Sequence, residues 1–207
     1  MQSYEGEERL QRQITFCNEI DKEKFIKRQT YCTDFQKKEN DAEHAWHMAV
    51  MAMFLSEYAN EEIDLLRTIE MLLIHDLVEI DAGDTYAYDE KARETQAVRE
   101  KGAADRIFHL LPQDQAERLY ELWSEFEKGE TPEAKFAHTM DNFQPIMLNA
   151  ATDGKAWEER GIHLKQVLDR NKNTAAGSNA LWKYSYEHFI EPNVKAGKLI
   201  NDGTIVE

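Results

Sequence analysis

Two adjacent residues in an otherwise apolar segment, His75 and Asp76, could do chemistry. They lie in Met71-Leu-Leu-Ile-His-Asp-Leu-Val-Glu-Ile80, where nearly every other side chain is apolar. A charge removed from water needs a partner or a metal ion. An imidazole nitrogen and a carboxylate oxygen together suit a divalent first-row cation. The pair therefore indicates part of a metal site, which residues from other segments must complete.

Further ligands are available upstream and downstream of this pair. His44 lies at helical spacing from Met48 and Leu55, so we expect it to point into the core. Asp141 lies in a later segment that also favours a helix. His47 is the nearest rival to His44, but a lone histidine on an apolar face is more often a hydrogen-bonded core residue than a ligand. We therefore interpret His47 as structural.

Two carboxylates follow the His-Asp pair and are not needed as ligands. Glu79 lies four residues after His75 and three after Asp76, which places all three on one side of a helix. Asp84 follows shortly after the end of that segment, next to Gly83. Metal-assisted hydrolysis requires this division of labour, because the cation lowers the pKa of a bound water while a nearby carboxylate moves protons.

The segments that must position these residues all favour helices. Apolar spacing predicts a first helix over residues 7–28 and a third over residues 63–80. Residues 155–198 are expected to add C-terminal helices. The fold class predicted is all-α, a single-domain helical bundle over residues 1–207 with its core at about residues 20–150.

Two helix starts have specific signals. Asn40 with Glu43 three residues later predicts a capping box at the start of the second helix. Thr131 followed by Pro132 predicts a capped start with proline in the first helical position. The helix that begins there would carry Asp141.

Composition limits the partners that the chain could have. The net charge of −15 weighs against a nucleic-acid polymer or an anionic membrane, since both would repel the protein. No apolar run approaches the roughly 18 residues that a membrane span needs. Cys17 and Cys32 favour reduced thiols over a disulfide framework, so we expect a cytoplasmic location.

The order and spacing of these residues resemble the HD superfamily of metal-dependent phosphohydrolases. The stretch from His75 to Asp84 fits His-Asp-x-x-Glu-x-x-x-Gly-Asp, a pattern of the HD-domain 5′-deoxynucleotidases. The motifs that add to this resemblance are Glu43-His44, Leu110-Leu-Pro112, Tyr120 to Glu127, Ala134-Lys-Phe136 and Asp141. The resemblance covers about residues 20–150 and implies an HD-type helical bundle.

The resemblance also implies a role for each site residue. One divalent metal ion would be bound by His44, His75, Asp76 and Asp141. The ion could be Mn, Co, Fe, Mg, Zn or Ni. Glu79 would transfer protons, Asp84 would contact the sugar or assist the leaving group, and Arg28, near the end of the first helix, would bind phosphate. Gln29 follows Arg28 where some deoxynucleotidases have Trp, so the sugar of the substrate could be deoxyribose or ribose.

The function implied is that of a metal-dependent phosphomonoesterase of the 5′-nucleotidase type, acting on a small-molecule substrate, a nucleoside 5′-monophosphate and in particular a deoxyribonucleotide. Two alternatives stay open. One is a superfamily enzyme for a phosphodiester, an alarmone or a nucleoside triphosphate. The other is a non-enzymatic metal-dependent binding module, which the presence of Glu79 and Asp84 disfavours.

A homodimer is a further expectation. Dimers occur among similar proteins, and the last predicted helix carries the aromatic residues Trp182, Tyr186 and Phe189. An aromatic stripe of this kind is more often part of an intramolecular core.

Overall fold

Helices dominate the chain, which the computed structural model describes over residues 2–88, 91 and 94–203. The regular elements in chain order are α1 (Gln2–Ile20), β1 (Lys27–Tyr31), β2 (Lys38–Asn40), α2 (Asp41–Leu55), α3 (Leu65–Ile74), α4 (Glu79–Ala82), α5 (Gln96–Phe108), α6 (Gln113–Lys128), α7 (Pro132–Ala151), α8 (Lys155–Arg160), α9 (Leu164–Asn171), α10 (Thr174–Gly177), α11 (Asn179–Ser185) and α12 (Glu191–Lys195). The all-α prediction is confirmed. None of the described helices has both the length and the apolar character that crossing a membrane demands.

Both predicted helix starts are confirmed. The Asn40 side chain accepts a hydrogen bond from the Glu43 backbone N–H at 2.9 Å, and the Glu43 carboxylate accepts one from the Asn40 N–H at 3.1 Å. Thr131 accepts from the Ala134 N–H at 3.2 Å, and Pro132 is the first residue of α7. These caps fix where α2 and α7 begin, because they satisfy backbone donors that have no partner inside the helix.

The first predicted helix is wrong in its second half. α1 ends at Ile20, a 3₁₀ turn covers Asp21–Phe25, and Arg28 lies on strand β1. β1 pairs antiparallel with β2, with Lys27 opposite Asn40. This pairing joins segments that are separate in the sequence, so the apolar spacing of α1 could not reveal it. It places Arg28 beside the start of α2.

The third predicted helix is interrupted at the His-Asp pair. α3 ends at Ile74, a tighter 3₁₀ turn covers His75–Val78, and α4 begins at Glu79. Residues three apart lie almost directly above one another where the winding is three residues per turn. Asp76 and Glu79 therefore project from the same side. Gly83 ends α4 with a φ of 74°, a backbone conformation that favours glycine.

Three apolar clusters fill the core. The first joins α2, α3, α6 and α7 around Met48, Met71 and Met140. The second packs α1 and α5 against α6 around Phe108. The third packs α8 and α9 against α7 around Trp157. α7 is thus held from two sides, which fixes the position of Asp141.

The predicted C-terminal helices over residues 155–198 are broken into the short elements α8 to α12. Gly161 separates α8 from α9 with a φ of 60°. Gly177 lies so close to α7 that a Cβ there would stand 2.3 Å from the Lys135 carbonyl oxygen. Thr139 donates to the Thr174 carbonyl at 2.8 Å. Close backbone approach and hydrogen bonding therefore lock this segment onto α7.

The three aromatic residues that suggested a homodimer, Trp182, Tyr186 and Phe189, are partly buried and pack against the third cluster. Phe189 also meets Phe143 of α7, with ring centroids 5.8 Å apart. These residues contribute to the intramolecular core. The expectation of a homodimer therefore loses the sequence feature that supported it.

Candidate metal centre and pocket

His44, His75 and Asp141 come together in the core from α2, the 3₁₀ turn after α3, and α7. One possible ligand atom from each lies within 4.8 Å of the other two. His44 Nε2 stands 3.1 Å from Asp141 Oδ1, and His75 Nε2 stands 3.9 Å from the same oxygen. The fold thus brings together residues that are 31 and 66 positions apart in the sequence.

The orientation of His75 leaves its Nε2 available to a ligand. Its Nδ1 lies 3.0 Å from the Leu72 carbonyl oxygen, so Nδ1 carries the proton and donates. Nε2 is buried, has no hydrogen-bond partner and points towards Asp141. It lies at 3.1 Å from Asp76 Oδ1 without forming a hydrogen bond. A buried acceptor nitrogen of this kind fits a bound cation.

A chain of hydrogen bonds orients His44. Glu39 accepts from the Gln144 side-chain amide at 2.8 Å, which turns the Gln144 oxygen towards His44 Nδ1 at 2.9 Å. Nδ1 therefore donates, and Nε2 faces Asp141. His47 Nδ1 lies 3.1 Å from the same Gln144 amide, so the structure places His47 outside the group of possible ligands.

The contact between His44 and Asp141 favours the charged form of both side chains. Burial and the nearby Arg28 lower the pKa of His44, but its contacts with Asp141 and Glu39 outweigh both and raise that pKa to about 9. Burial raises the pKa of Asp141, yet the His44 hydrogen bond and the charges of Arg170 and His75 hold it well below its usual range. A cation that bound here would have to displace the His44 proton.

Asp76 adjoins this group and divides its two oxygens. Oδ1 faces His75, while Oδ2 accepts a hydrogen bond from Arg28 Nη1 at 3.0 Å. Arg28 also lies 3.3 Å from Asp41 and 3.4 Å from Glu39. The predicted phosphate-binding arginine is therefore already surrounded by three carboxylates. Two imidazoles with Asp141, and Asp76 beside them, form a nitrogen and oxygen donor set that fits a divalent first-row cation.

Glu79 belongs to a second group of carboxyls next to the proposed ligands. Burial and the neighbouring carboxylates Asp76 and Asp41 raise its pKa well above the usual range. Burial and Asp76 raise the pKa of Asp41 to about 7, and this side chain hydrogen-bonds Glu79. Burial and Asp76 raise the pKa of Glu23 to about 8. Each of these carboxyls therefore keeps its proton to a higher pH than an ordinary carboxyl does.

A pocket of about 660 Å³ is lined by His75 and Asp141 from the first group, by Asp76, and by Glu79 from the second. Its carboxylates among the described residues are Asp76, Glu79, Asp84, Glu94, Glu100, Glu127 and Asp141. Against them, the described lining includes two arginines, Arg28 and Arg170. Tyr86, Tyr88 and Trp157 form an aromatic wall. The volume suits a small metabolite, and an anionic one needs added positive charge in so acidic a pocket.

A sequence profile of the HD domain family matches residues 20–182. The chain belongs to the HD domain family. The matched range extends past residue 150, near which the motif resemblance ends, and includes the segment locked onto α7. A crystal structure described as a predicted metal-dependent phosphohydrolase from Magnetospirillum magnetotacticum is 45% identical to this HD domain protein, with a TM-score of 0.89. The two chains overlap over 94% of this one and 97% of the other.

Curated relatives of this HD domain protein carry the name 5′-deoxynucleotidase HDDC2. The Xenopus laevis protein is 34% identical over 162 residues, which cover 70% of this chain and 79% of that protein. The human protein is 35% identical over 112 residues, or 54% of this chain and 53% of that protein. The chain thus spans about half the length of the first curated relatives that it matches.

Sequence reasoning missed several residues that the structure places at the site. Gln144 lies three residues after Asp141 on α7, and that spacing is the one signal that could have indicated it. Glu39, Asp41 and Glu23 are ordinary surface-type residues in the sequence, and they become buried through the sheet and the 3₁₀ turn.

Proposed function

We propose that this protein is a metal-dependent phosphomonoesterase that removes phosphate from nucleoside 5′-monophosphates. The convergence of His44, His75 and Asp141 beneath an acidic pocket, with Glu79 beside them, carries this proposal. The names of the HDDC2 relatives and of the Magnetospirillum structure support it.

Four residues would hold one divalent ion: His44, His75, Asp76 and Asp141. When bound, the ion would supply Lewis acidity, which neutralises phosphoryl oxygen charge and makes a water more acidic. Hydrogen bonds already fix both imidazoles, because His75 Nδ1 donates to the Leu72 carbonyl oxygen and His44 Nδ1 donates to the Gln144 side-chain oxygen. The chain therefore presents its donors in one orientation.

Glu79 and Asp84 would handle protons and the sugar. The Glu79 carboxyl, whose pKa is raised well above the usual range, can hold a proton at a higher pH than an ordinary carboxyl, which suits proton exchange with an attacking water or a leaving 5′ oxygen. Asp84 lines the pocket at the end of α4, where burial raises its pKa, and would contact the sugar or assist the leaving group. The aromatic wall at Tyr86 and Tyr88 would receive the nucleoside.

Arg28 would contribute to phosphate binding from the side of Asp76. Its side chain is 14% exposed and lines the pocket, but three carboxylates share its charge. Its larger effect would be to offset their repulsion. Arg28 therefore supports Asp76 as well as any phosphate.

A phosphate-release screen tests the proposal. Purified protein, stripped of metal and supplied with Mn, Co, Fe, Mg, Zn or Ni, is given deoxyribo- and ribonucleoside 5′-monophosphates, a cyclic phosphodiester, an alarmone and a nucleoside triphosphate. We expect metal-dependent release from the monophosphates. Turnover confined to another phosphate class would assign a different superfamily substrate, and no turnover on any of them would leave a binding module.

The homodimer and the cytoplasmic location remain proposals. Both cysteines are free thiols in the structure, as a reducing compartment would keep them. Light scattering at micromolar concentration tests the first, and a monomer there would contradict it. Fractionation of the source cells tests the second.

A further inference from the structure

The two oxygens of Asp141 face different partners. Oδ1 lies at 3.1 Å from His44 Nε2 and 3.9 Å from His75 Nε2. Oδ2 accepts a hydrogen bond from Arg170 Nη2 at 3.1 Å. The carboxylate is thus held between the two histidines on one side and one arginine on the other.

The end of α9 delivers Arg170 to this position. Leu164, Val167 and Asn171 form the buried face of the helix, and the Asn171 amide donates to the Val167 carbonyl at 2.8 Å. Arg170 precedes Asn171, so it emerges at the edge of that face and lines the pocket. The segment after α9 is locked to α7 through Thr174 and Gly177, which keeps Arg170 and Asp141 in register.

Arg170 differs from Arg28, the other arginine of the pocket lining. Arg28 has three carboxylates within 3.4 Å and is 14% exposed. Arg170 is 38% exposed, and its one ion pair among the described residues is with Asp141. A charge-assisted bond to one oxygen fixes the rotation of a carboxylate about its Cβ–Cγ bond, which sets the direction of the other oxygen.

We propose that Arg170 is a positioning residue of the metal centre: by holding Asp141 Oδ2, it directs Oδ1 at His44 and His75. This inference rests on the proposed metal-dependent function. It extends the site to α9, beyond the segment that contains the HD motifs. Partners of this kind orient metal ligands, and their loss typically costs about 10–100-fold in metal affinity.

The test measures Mn²⁺ binding to metal-free protein by titration calorimetry. Arg170→Gln removes the charge, and Arg170→Met keeps most of the apolar stem. Lys172→Gln is the matched control, because it removes one positive charge from an exposed residue two positions further along the chain. We expect both Arg170 variants to bind Mn²⁺ about 10–100-fold more weakly than wild type and Lys172→Gln to match wild type. Circular dichroism confirms the fold of each variant.

A second readout follows the geometry of the site. The visible absorption of Co²⁺ bound to the protein reports the arrangement of its ligands, so Arg170→Met at saturating Co²⁺ should give an altered spectrum. Arg170 variants with the affinity of Lys172→Gln and an unchanged Co²⁺ spectrum would overturn the inference. His75→Ala separates this outcome from a failure of the proposed function, because a metal centre elsewhere would leave Mn²⁺ binding intact in that variant too.

Discussion

Two groups of buried carboxyls lie beside the candidate metal centre, and their pKa values shift in opposite directions. Asp141 and Glu39, which we call the ligand side, are buried, and their pKa values are lowered. Glu79 and Asp41, which we call the acid side, are equally buried, and their pKa values are raised. Burial therefore does not decide the direction of the shift.

The partners of each group decide it. Histidine and arginine side chains surround the ligand side, and they stabilise the ionised carboxylate. Carboxylates face one another on the acid side, so ionising one makes the next ionisation harder. The ligand side thus holds ionised carboxylates that can bind a cation. The acid side next to it holds protonated carboxyls that can transfer a proton. The predictions below break or sharpen this contrast.

Removing the His75 imidazole, which faces Asp141 of the ligand side, should have the largest effect. His75→Ala takes away the buried Nε2 that faces Asp141, so we expect loss of both bound metal and phosphate release. Metal analysis after purification and a phosphate assay measure the two losses. His109→Ala, at an exposed histidine outside the pocket lining, is the control. Equal metal content in wild type and His75→Ala would contradict the ligand assignment.

Replacing the Glu79 carboxyl of the acid side by an amide should slow turnover without releasing metal. Glu79→Gln keeps the shape, but its amide cannot exchange a proton at neutral pH. We expect kcat to fall about 10²–10⁴-fold with the metal content unchanged. Glu100→Gln, at another buried carboxyl of the pocket, should retain most of the activity. A fully active Glu79→Gln would transfer the role to Asp84, and a fully active Asp84→Asn as well would end the proposed mechanism.

Arg28 joins the two sides, because it contacts Glu39, Asp41 and Asp76. Arg28→Ala removes the positive charge that these three buried carboxyls share, so the free energy of unfolding should fall by about 3–5 kcal/mol. Its loss should also raise KM and lower kcat if the guanidinium binds phosphate. Urea unfolding and steady-state kinetics measure the effects. Arg106→Ala, which breaks exposed ion pairs with Asp81 and Glu19, should cost no more than about 1 kcal/mol.

Glu23, another carboxyl with a raised pKa, should make the free energy of unfolding depend on pH. Its pKa is about 8 in the folded protein against an ordinary 4.5, so its contribution is present below pH 4.5 and is lost as the pH rises through 8. Glu23→Gln does not titrate. The variant should therefore gain on wild type between pH 5 and pH 9, by about 4 kcal/mol, in urea unfolding of metal-free protein.

Glu19→Gln is the control for that experiment. Lys22 and Arg106 lower the pKa of Glu19, so this change should cost stability at high pH, the opposite sign. Parallel pH curves for wild type and Glu23→Gln would show that folding does not raise the pKa of Glu23.

Local signals predicted the parts of the fold that depend on near neighbours. The caps at Asn40 and Thr131 are confirmed because each rests on residues within three positions. The position of Arg28 on a strand depends on pairing with residues 38–40, and no spacing within the first helix reports such pairing. The 3₁₀ turn at His75 was also missed, since its apolar neighbours suit an α-helix equally well.

The candidate site shows the same limit. Motif resemblance indicated His44, His75 and Asp141, which the structure brings together. The residues that orient them, Gln144 and Arg170, are set by how α7 meets α2 and α9. Those contacts are tertiary, and they cannot be inferred from a single sequence.

The close approach of Gly177 to α7 has a consequence for the boundaries of the folding unit. A side chain there would collide with the Lys135 carbonyl oxygen, and the Gly177 carbonyl accepts from the Asn60 N–H at 2.9 Å. The segment thus bridges the loop after α2 and the helix of Asp141. A fragment cut at residue 150 would expose buried surface of α7 to water, including Ile146. We therefore expect the smallest portion of the chain that can be excised and still fold as a unit to include Gly177.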